Sequence, residues 1–244
     1  MKTFHIILAV TPILLALINP AHSNELDKLN AEELASVSHG GRLYDRWWDE
    51  LYKRQPSMTH PLYPQSGKKS KASWRCKECH GWDYKGKNGA YGKGSHYTGI
   101  DGIYAARKLD KDEIINRLSS DKHDFSKYMP HSSVQALALF IKYGTVDMDK
   151  HINRKTLAVK GNAKNGARFF NTICARCHGM DGKKINFRNI SSPEYVGTVA
   201  RVNPWELLHK LRFAQPASDM PSMLALPIQT HIDILSHAQT LPAK

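Results

Sequence analysis

The chain has 244 residues, room for one or two domains, with 41% hydrophobic side chains to build a core and a formal net charge of +13. So basic a chain favours acidic partners and electrostatically steered encounters. Nucleic acid is the usual alternative, and it is set aside because the chain carries no nucleic-acid-binding motif.

Residues 1–23 read as a secretory signal peptide. Lys2 supplies the positive end, residues 4–18 are mostly apolar, and Ala21-His22-Ser23 has the small-x-small form of a cleavage site. The apolar run is too short, and too broken by Thr11, Pro12 and Asn19, for a membrane span. No cysteine follows the expected cut, so a lipid-anchored start is not expected, and no other stretch approaches membrane length. The expectation is an exported, periplasmic chain without a transmembrane segment, beginning at Asn24 with one positive charge fewer.

Over residues 34–51, Gly40, Tyr44, Trp47, Trp48 and Leu51 recur at helical spacing, which predicts an amphipathic helix with a bulky aromatic face. Pro56, Pro61, Pro64 and Gly67 make residues 55–73 a loop with a basic end at Lys68, Lys69 and Lys71. Cys76-Lys77-Glu78-Cys79-His80 follows, and after it residues 81–102, rich in glycine, tyrosine and lysine, read as irregular chain. Asp110 is placed to cap a helix over residues 111–119, with Ile114, Ile115 and Leu118 facing inward. Tyr128-Met129-Pro130 precedes Val134, Leu137, Ala138 and Ile141, the stripe of a helix stopping near Gly144. Residues 146–161 are polar and basic and read as a linker between domains at 24–145 and 162–244.

The order then repeats. Gly166, Phe169, Phe170 and Ile173 form a helical stripe running into Cys174-Ala175-Arg176-Cys177-His178. Residues 179–202 read as loop, and Asn203 can cap a helix with Pro204 at its first position and Trp205, Leu208 and Leu211 inside. Asp219-Met220-Pro221 comes next, and Ile228, Ile232 and Leu235 mark a last helix. The first cysteines of the two motifs lie 98 residues apart and the two Met-Pro pairs 91 apart. Both halves therefore read helix, C-x-x-C-H, irregular loop, short helix, Met-Pro, final helix.

C-x-x-C-H is the attachment pattern of a c-type haem. Two cysteines three apart can each bond one vinyl carbon of a porphyrin, and the adjacent histidine can lie under the iron. A dithiol redox pair or a zinc site are the other readings of paired cysteines, but the first needs no following histidine and the second needs ligands at its own spacing. All four cysteines of the chain fall in the two motifs, which leaves none for a long-range disulfide or a cysteine ligand elsewhere. Two covalently attached haems are expected, on Cys76 and Cys79 and on Cys174 and Cys177, with His80 and His178 as iron ligands. A second ligand must come from elsewhere in each half. Met129 and Met220 are the first candidates, because the proline after each holds it off a helix and a thioether suits reduced iron. Met223 competes with Met220, and His123 and His131 keep a bis-histidine first haem open. Met58, Met148 and Met180 receive no role, and His209, His231 and His237 read as helix residues with packing roles.

Each half resembles a class I cytochrome c domain. In the second half the resemblance rests on Asn165-Gly166-Ala167-Arg168-Phe169-Phe170, the motif with Gly179, Asp219-Met220-Pro221 and the terminal helix. In the first it rests on Gly41-Arg42-Leu43-Tyr44, Trp74-Arg75 with the motif and Gly81, and Met129-Pro130, with about 20 extra residues between helix and motif. The resemblance to tandem di-haem cytochromes c implies an all-α fold of two cytochrome c-like helical domains, each around one covalently attached haem. It also implies that Gly166 and Phe170 pack on the last helix.

The expected function is transfer of single electrons between periplasmic or membrane redox partners, with no catalytic residue. Lys68, Lys69, Lys71, Lys77, Lys85, Lys87 and Lys93 are either a docking surface for an acidic partner or a solvated face. The alternative class is a haem oxidoreductase or its electron-transfer subunit, of the thiosulfate-dehydrogenase or di-haem peroxidase kind, with one haem catalytic.

Overall fold

The computed structural model describes residues 25–64, 71–120 and 123–244. The leader expected over residues 1–23 lies outside these residues, as do Lys68 and Lys69. The chain is all-α: helices occupy about half of it and, among the described residues, β-pairing is limited to isolated bridges. No described helix is long and apolar enough to cross a membrane.

Helix α1 (Ala31–Glu50) starts three residues earlier than its apolar stripe suggests, because Asn30 and Glu33 form a capping box, each side chain accepting from the other's backbone N–H at 2.9–3.0 Å. The helix is interrupted at Arg46, whose backbone is non-helical, and this re-aims Trp47 and Trp48. Helix α2 (Cys76–His80) is the first C-x-x-C-H. Helix α3 (Lys111–Ser119) buries Ile114 and Leu118 as expected, but the Asp110 side chain makes no capping hydrogen bond. Helix α4 (His131–Leu139) runs on through one widened turn over Phe140–Gly144.

In the second half, α5 (Ala163–Phe169) passes through a similar widened turn over Phe170–Cys174 into α6 (Ala175–His178). Helices α7 (Val196–Val202), α8 (Pro204–Phe213) and α9 (Ile228–Ala238) complete the chain. Asn203 caps α8 with Pro204 in its first turn, and Trp205, Leu208 and Leu211 are buried, as the sequence predicts. Helix α7 falls where a loop was expected. Its β-branched residues are poor helix formers, and it is held from outside: Thr198 Oγ1 donates to the Ala243 carbonyl at 2.5 Å, and Arg201 bonds the carbonyl of Leu241.

The same packing device occurs in both halves. A side chain on Gly166 would collide with the Asp233 carbonyl of α9, and one on Gly40 with the Ala136 carbonyl of α4. Four residues on, Phe170 and Tyr44 are buried, Tyr44 lying 5.2 Å from the Phe140 ring. The glycine lets the first and last helices of each half touch backbone to backbone, and the aromatic residue fills the next turn of the crossing. In the first half the equivalent residue is Gly40. Its neighbour Gly41, the first residue of the stretch that carries the resemblance, faces the other half instead, where a Cβ would strike the Phe213 ring.

The halves are joined by a buried seam between α1 and α8. His209, fully buried, lies with Nδ1 2.8 Å from the Tyr84 hydroxyl and Nε2 2.9 Å from the Gly41 carbonyl. A carbonyl only accepts, so Nε2 donates there and Nδ1 accepts from Tyr84. Asp45, 1% exposed, is bound by Arg75 on its own half and by Lys210 Nζ at 2.7 Å from the other. Burial alone would raise the Asp45 carboxyl; the Lys210 and Arg75 charges outweigh it and hold the group well below the carboxylate range. Arg212 donates to the Gly144 carbonyl at 2.6 Å. The expected linker is not a free spacer: Met148 and Ile152 are buried, and Asp147 and Asp149 bind Lys85 at 2.5 Å.

Candidate functional site

The two C-x-x-C-H segments share one local construction. Each is a short helix ended by a glycine in the left-handed region, Gly81 at φ 78° and Gly179 at φ 79°, where a side chain would be strained. The glycine N–H donates to the carbonyl of Lys77 in one half and of Ala175 in the other, at 2.9 and 2.8 Å. Two residues on, Asp83 and Asp181 accept from the backbone N–H of Lys85 and Lys183, at 3.2 and 3.0 Å. The His80 carbonyl accepts from Gly86 and the His178 carbonyl from Lys184, at 2.8 and 2.9 Å. The histidines are thus held at the same point of the same turn twice.

All four cysteines are free thiols. Burial pushes the Cys76 and Cys79 thiols up to about 12 and Cys174 to about 11, so these are protonated, unpaired groups. Among the described residues no three His, Cys, Asp or Glu side chains converge as a metal-ion site, so no ready-made zinc cluster surrounds either motif.

The imidazole of His80 is oriented. Its Nδ1 lies 2.6 Å from the Asp101 carbonyl, an acceptor only, so Nδ1 carries the proton. Burial pushes the ring down to about 4, which keeps it neutral and leaves the lone pair on Nε2. A carbonyl on Nδ1 and a lone pair on Nε2 is the arrangement of a metal-ligating histidine. The ring of His123 stands 6.3 Å from that of His80, and its Nδ1 lies 3.1 Å from the Arg117 carbonyl. Met129 is 3% exposed and packed in the core, where its N–H donates to Phe125 at 2.9 Å. His131 is exposed at the start of α4.

The second motif is more open. Cys177 is exposed, and His178 is half-buried against Phe187, 5.9 Å away, with Nδ1 buried and unpartnered. Ile173, Met180, Ile185, Phe187 and Ile190 leave apolar surface exposed beside the motif in the chain. Met220 lines a cleft of about 320 Å³ with Arg42, Glu50 and Tyr52 of the first half. Met223 is buried and lends its carbonyl to His231 Nε2 at 2.9 Å.

These residues fit a c-type haem: paired free thiols, a histidine set for nitrogen ligation in the first half, and bare apolar surface for a macrocycle in the second. Sequence reasoning missed the Asp101 carbonyl, because a backbone acceptor 21 residues from its histidine has no side-chain signature. It also grouped Lys77 with surface lysines. Lys77 is 6% exposed, pairs with Glu78 at 2.8 Å, and with Arg75 and Lys210 surrounds the Trp82 ring at 5.3–5.6 Å. Lys85 is held by Asp147 and Asp149, while Lys71, Lys93 and Lys87, the last paired at the surface with Asp101, are exposed. No protein-family description, curated protein or solved structure matches the chain.

Proposed function

We propose that this chain is an exported, periplasmic di-haem c-type cytochrome, a tandem of two class I cytochrome c-like domains, that carries single electrons between redox partners. The observation that carries the reading is the duplicated C-x-x-C-H turn, with its free thiols and its histidine fixed twice by the same glycine and aspartate. Cys76 and Cys79, and Cys174 and Cys177, would hold the two haems through thioethers, with His80 and His178 as iron ligands. Bound there, the haems supply the one-electron chemistry, and the protein sets their potential through ligands, burial and hydrogen bonds. As second iron ligands the sequence offers Met129, with His123 and His131 as alternatives, in the first half, and Met220, with Met223 as competitor, in the second.

The chain's own residues then have clear duties. Asp101 holds the His80 tautomer. The α1–α8 seam, with Tyr84, His209 and the Asp45 ion pairs, fixes the halves against each other and would hold two bound haems at a constant separation. The net charge of +13 supports acidic redox partners, with the exposed lysines rather than Lys77 meeting them.

The test is the haem content and spectrum of protein matured in a periplasm with haem-attachment machinery. Two covalent haems per chain, both low-spin and slow to bind carbon monoxide, are expected. One haem that binds carbon monoxide rapidly in the reduced protein would move the function to the haem-enzyme class.

A further inference from the structure

From the His80 surroundings we infer that His123, not Met129, is the second iron ligand of the first haem, which makes that haem bis-histidine. This rests on the haem reading above and names the ligand it leaves open.

Two imidazoles binding one metal from opposite sides, each through a nitrogen about 2.0 Å away, have ring centres roughly 6 Å apart. The His80 and His123 rings are 6.3 Å apart. Aromatic packing alone spans that separation too, so the distance needs a second observation. The two rings supply it, for both direct Nδ1 at a backbone carbonyl, Asp101 at 2.6 Å and Arg117 at 3.1 Å. Carbonyls only accept, so Nδ1 carries a proton in both rings, and Nε2 is the nitrogen that each ring can offer to a metal. Two histidines with this tautomer, at this separation, form a ligand pair for one iron.

The neighbouring candidates are placed differently. His60 Nδ1 accepts from the Leu62 N–H at 3.2 Å, and its ring also bonds the backbone of His123, so it positions that residue. Phe125, buried, flanks both His60 and His123, at 5.8 and 6.2 Å between ring centres. The residue between, Asp124, turns the chain through the left-handed region at φ 54°, which brings His123 back over this aromatic wall. Met129 sits one helical turn beyond Phe125, in the core.

The experiment compares the holo-protein with its H123A, H123M and M129L variants, matured in the same periplasm. In the unaltered oxidised protein, near-infrared magnetic circular dichroism, which separates bis-histidine from histidine–methionine iron by band position, is expected to show one bis-histidine haem. H123A should let reduced protein bind carbon monoxide at one of its two haems, and H123M should turn the bis-histidine signal into a second histidine–methionine one. M129L should change neither signal. Two histidine–methionine haems in the unaltered protein, or loss of one ligand set in M129L with H123A unchanged, overturns the inference while the di-haem reading stands. A protein without covalent haem overturns the reading itself. Because the decisive spectrum is taken on the unaltered chain, a variant that fails to fold does not remove the test.

Discussion

The two C-x-x-C-H turns are locally alike and differently housed. The first is built into the core: Lys77 and Glu78 of its helix are buried, His80 is tied to Asp101, and Trp82 and Tyr84 run directly into the seam with α8. The second stands at the surface, with Cys177 exposed and Ile173, Ile185 and Phe187 bare beside it. The difference lies in what surrounds the turn. The first half encloses its motif with the Lys71–Trp74 turn of its extra loop and with the interface to the second half. The second motif continues directly from α5 through the Phe170–Cys174 turn, so a haem attached there would supply more of its own apolar cover.

The largest effects should come from the motifs. C76S/C79S and C174S/C177S variants should each lose one of two covalent haems, halving the haem per chain in a pyridine haemochrome assay. In the chain before haem attachment the two motifs should separate by reactivity. Cys177, exposed, should be alkylated at least roughly tenfold faster than Cys76, whose buried thiol is pushed up to about 12. Equal rates would mean the first motif is as open as the second.

Next comes the seam. Asp45→Asn leaves Lys210 and Arg75 facing an uncharged group and should cost about 3–5 kcal/mol, read by denaturant unfolding. Gly40→Val and Gly166→Val, which force the paired first and last helices apart, should each cost about 1–3 kcal/mol or more. Similar losses in both would support equivalent crossings in the two halves.

The buried histidines set the pH dependence. Burial pushes His209 down to about 3 and His231 to about 4, against an unfolded value near 6.5. Between pH about 6.5 and about 4 the unfolded chain binds protons that the folded chain refuses. Stability should therefore fall as the pH drops through that window, by up to about 1.4 kcal/mol per pH unit for each histidine. His209→Gln, which removes the titration, should flatten the slope. Asp45 adds its own loss only below about pH 4, where the unfolded carboxylate takes up a proton. The smallest effect is expected from Lys85→Ala. Its pairs with Asp147 and Asp149 are part-exposed, and the change should cost less than about 1 kcal/mol.

Much of the helical frame was legible in the sequence. The stripes of α1, α4 and α9 and the Asn203-Pro204 start of α8 follow from local periodicity and cap chemistry, and the Gly166–Phe170 crossing from the resemblance. What was not legible depends on partners distant in sequence. Helix α7 has poor intrinsic propensity and exists because the C-terminal carbonyls hold Thr198 and Arg201. Gly41 looks like one more helix glycine until Phe213 arrives from 172 residues away. The linker reads as polar because its charges are visible and its two buried anchors, Met148 and Ile152, follow no period. At the first site the histidines were visible as residues, but only the fold brings His123 to 6.3 Å from His80.

Whether both turns bind a haem covalently is read directly by intact-mass spectrometry of the periplasm-matured chain. The expected mass is higher by two haem groups, with tryptic peptides containing Cys76–Cys79 and Cys174–Cys177 each bearing one. A chain of unmodified mass, or one with its cysteines joined in disulfides, would contradict it.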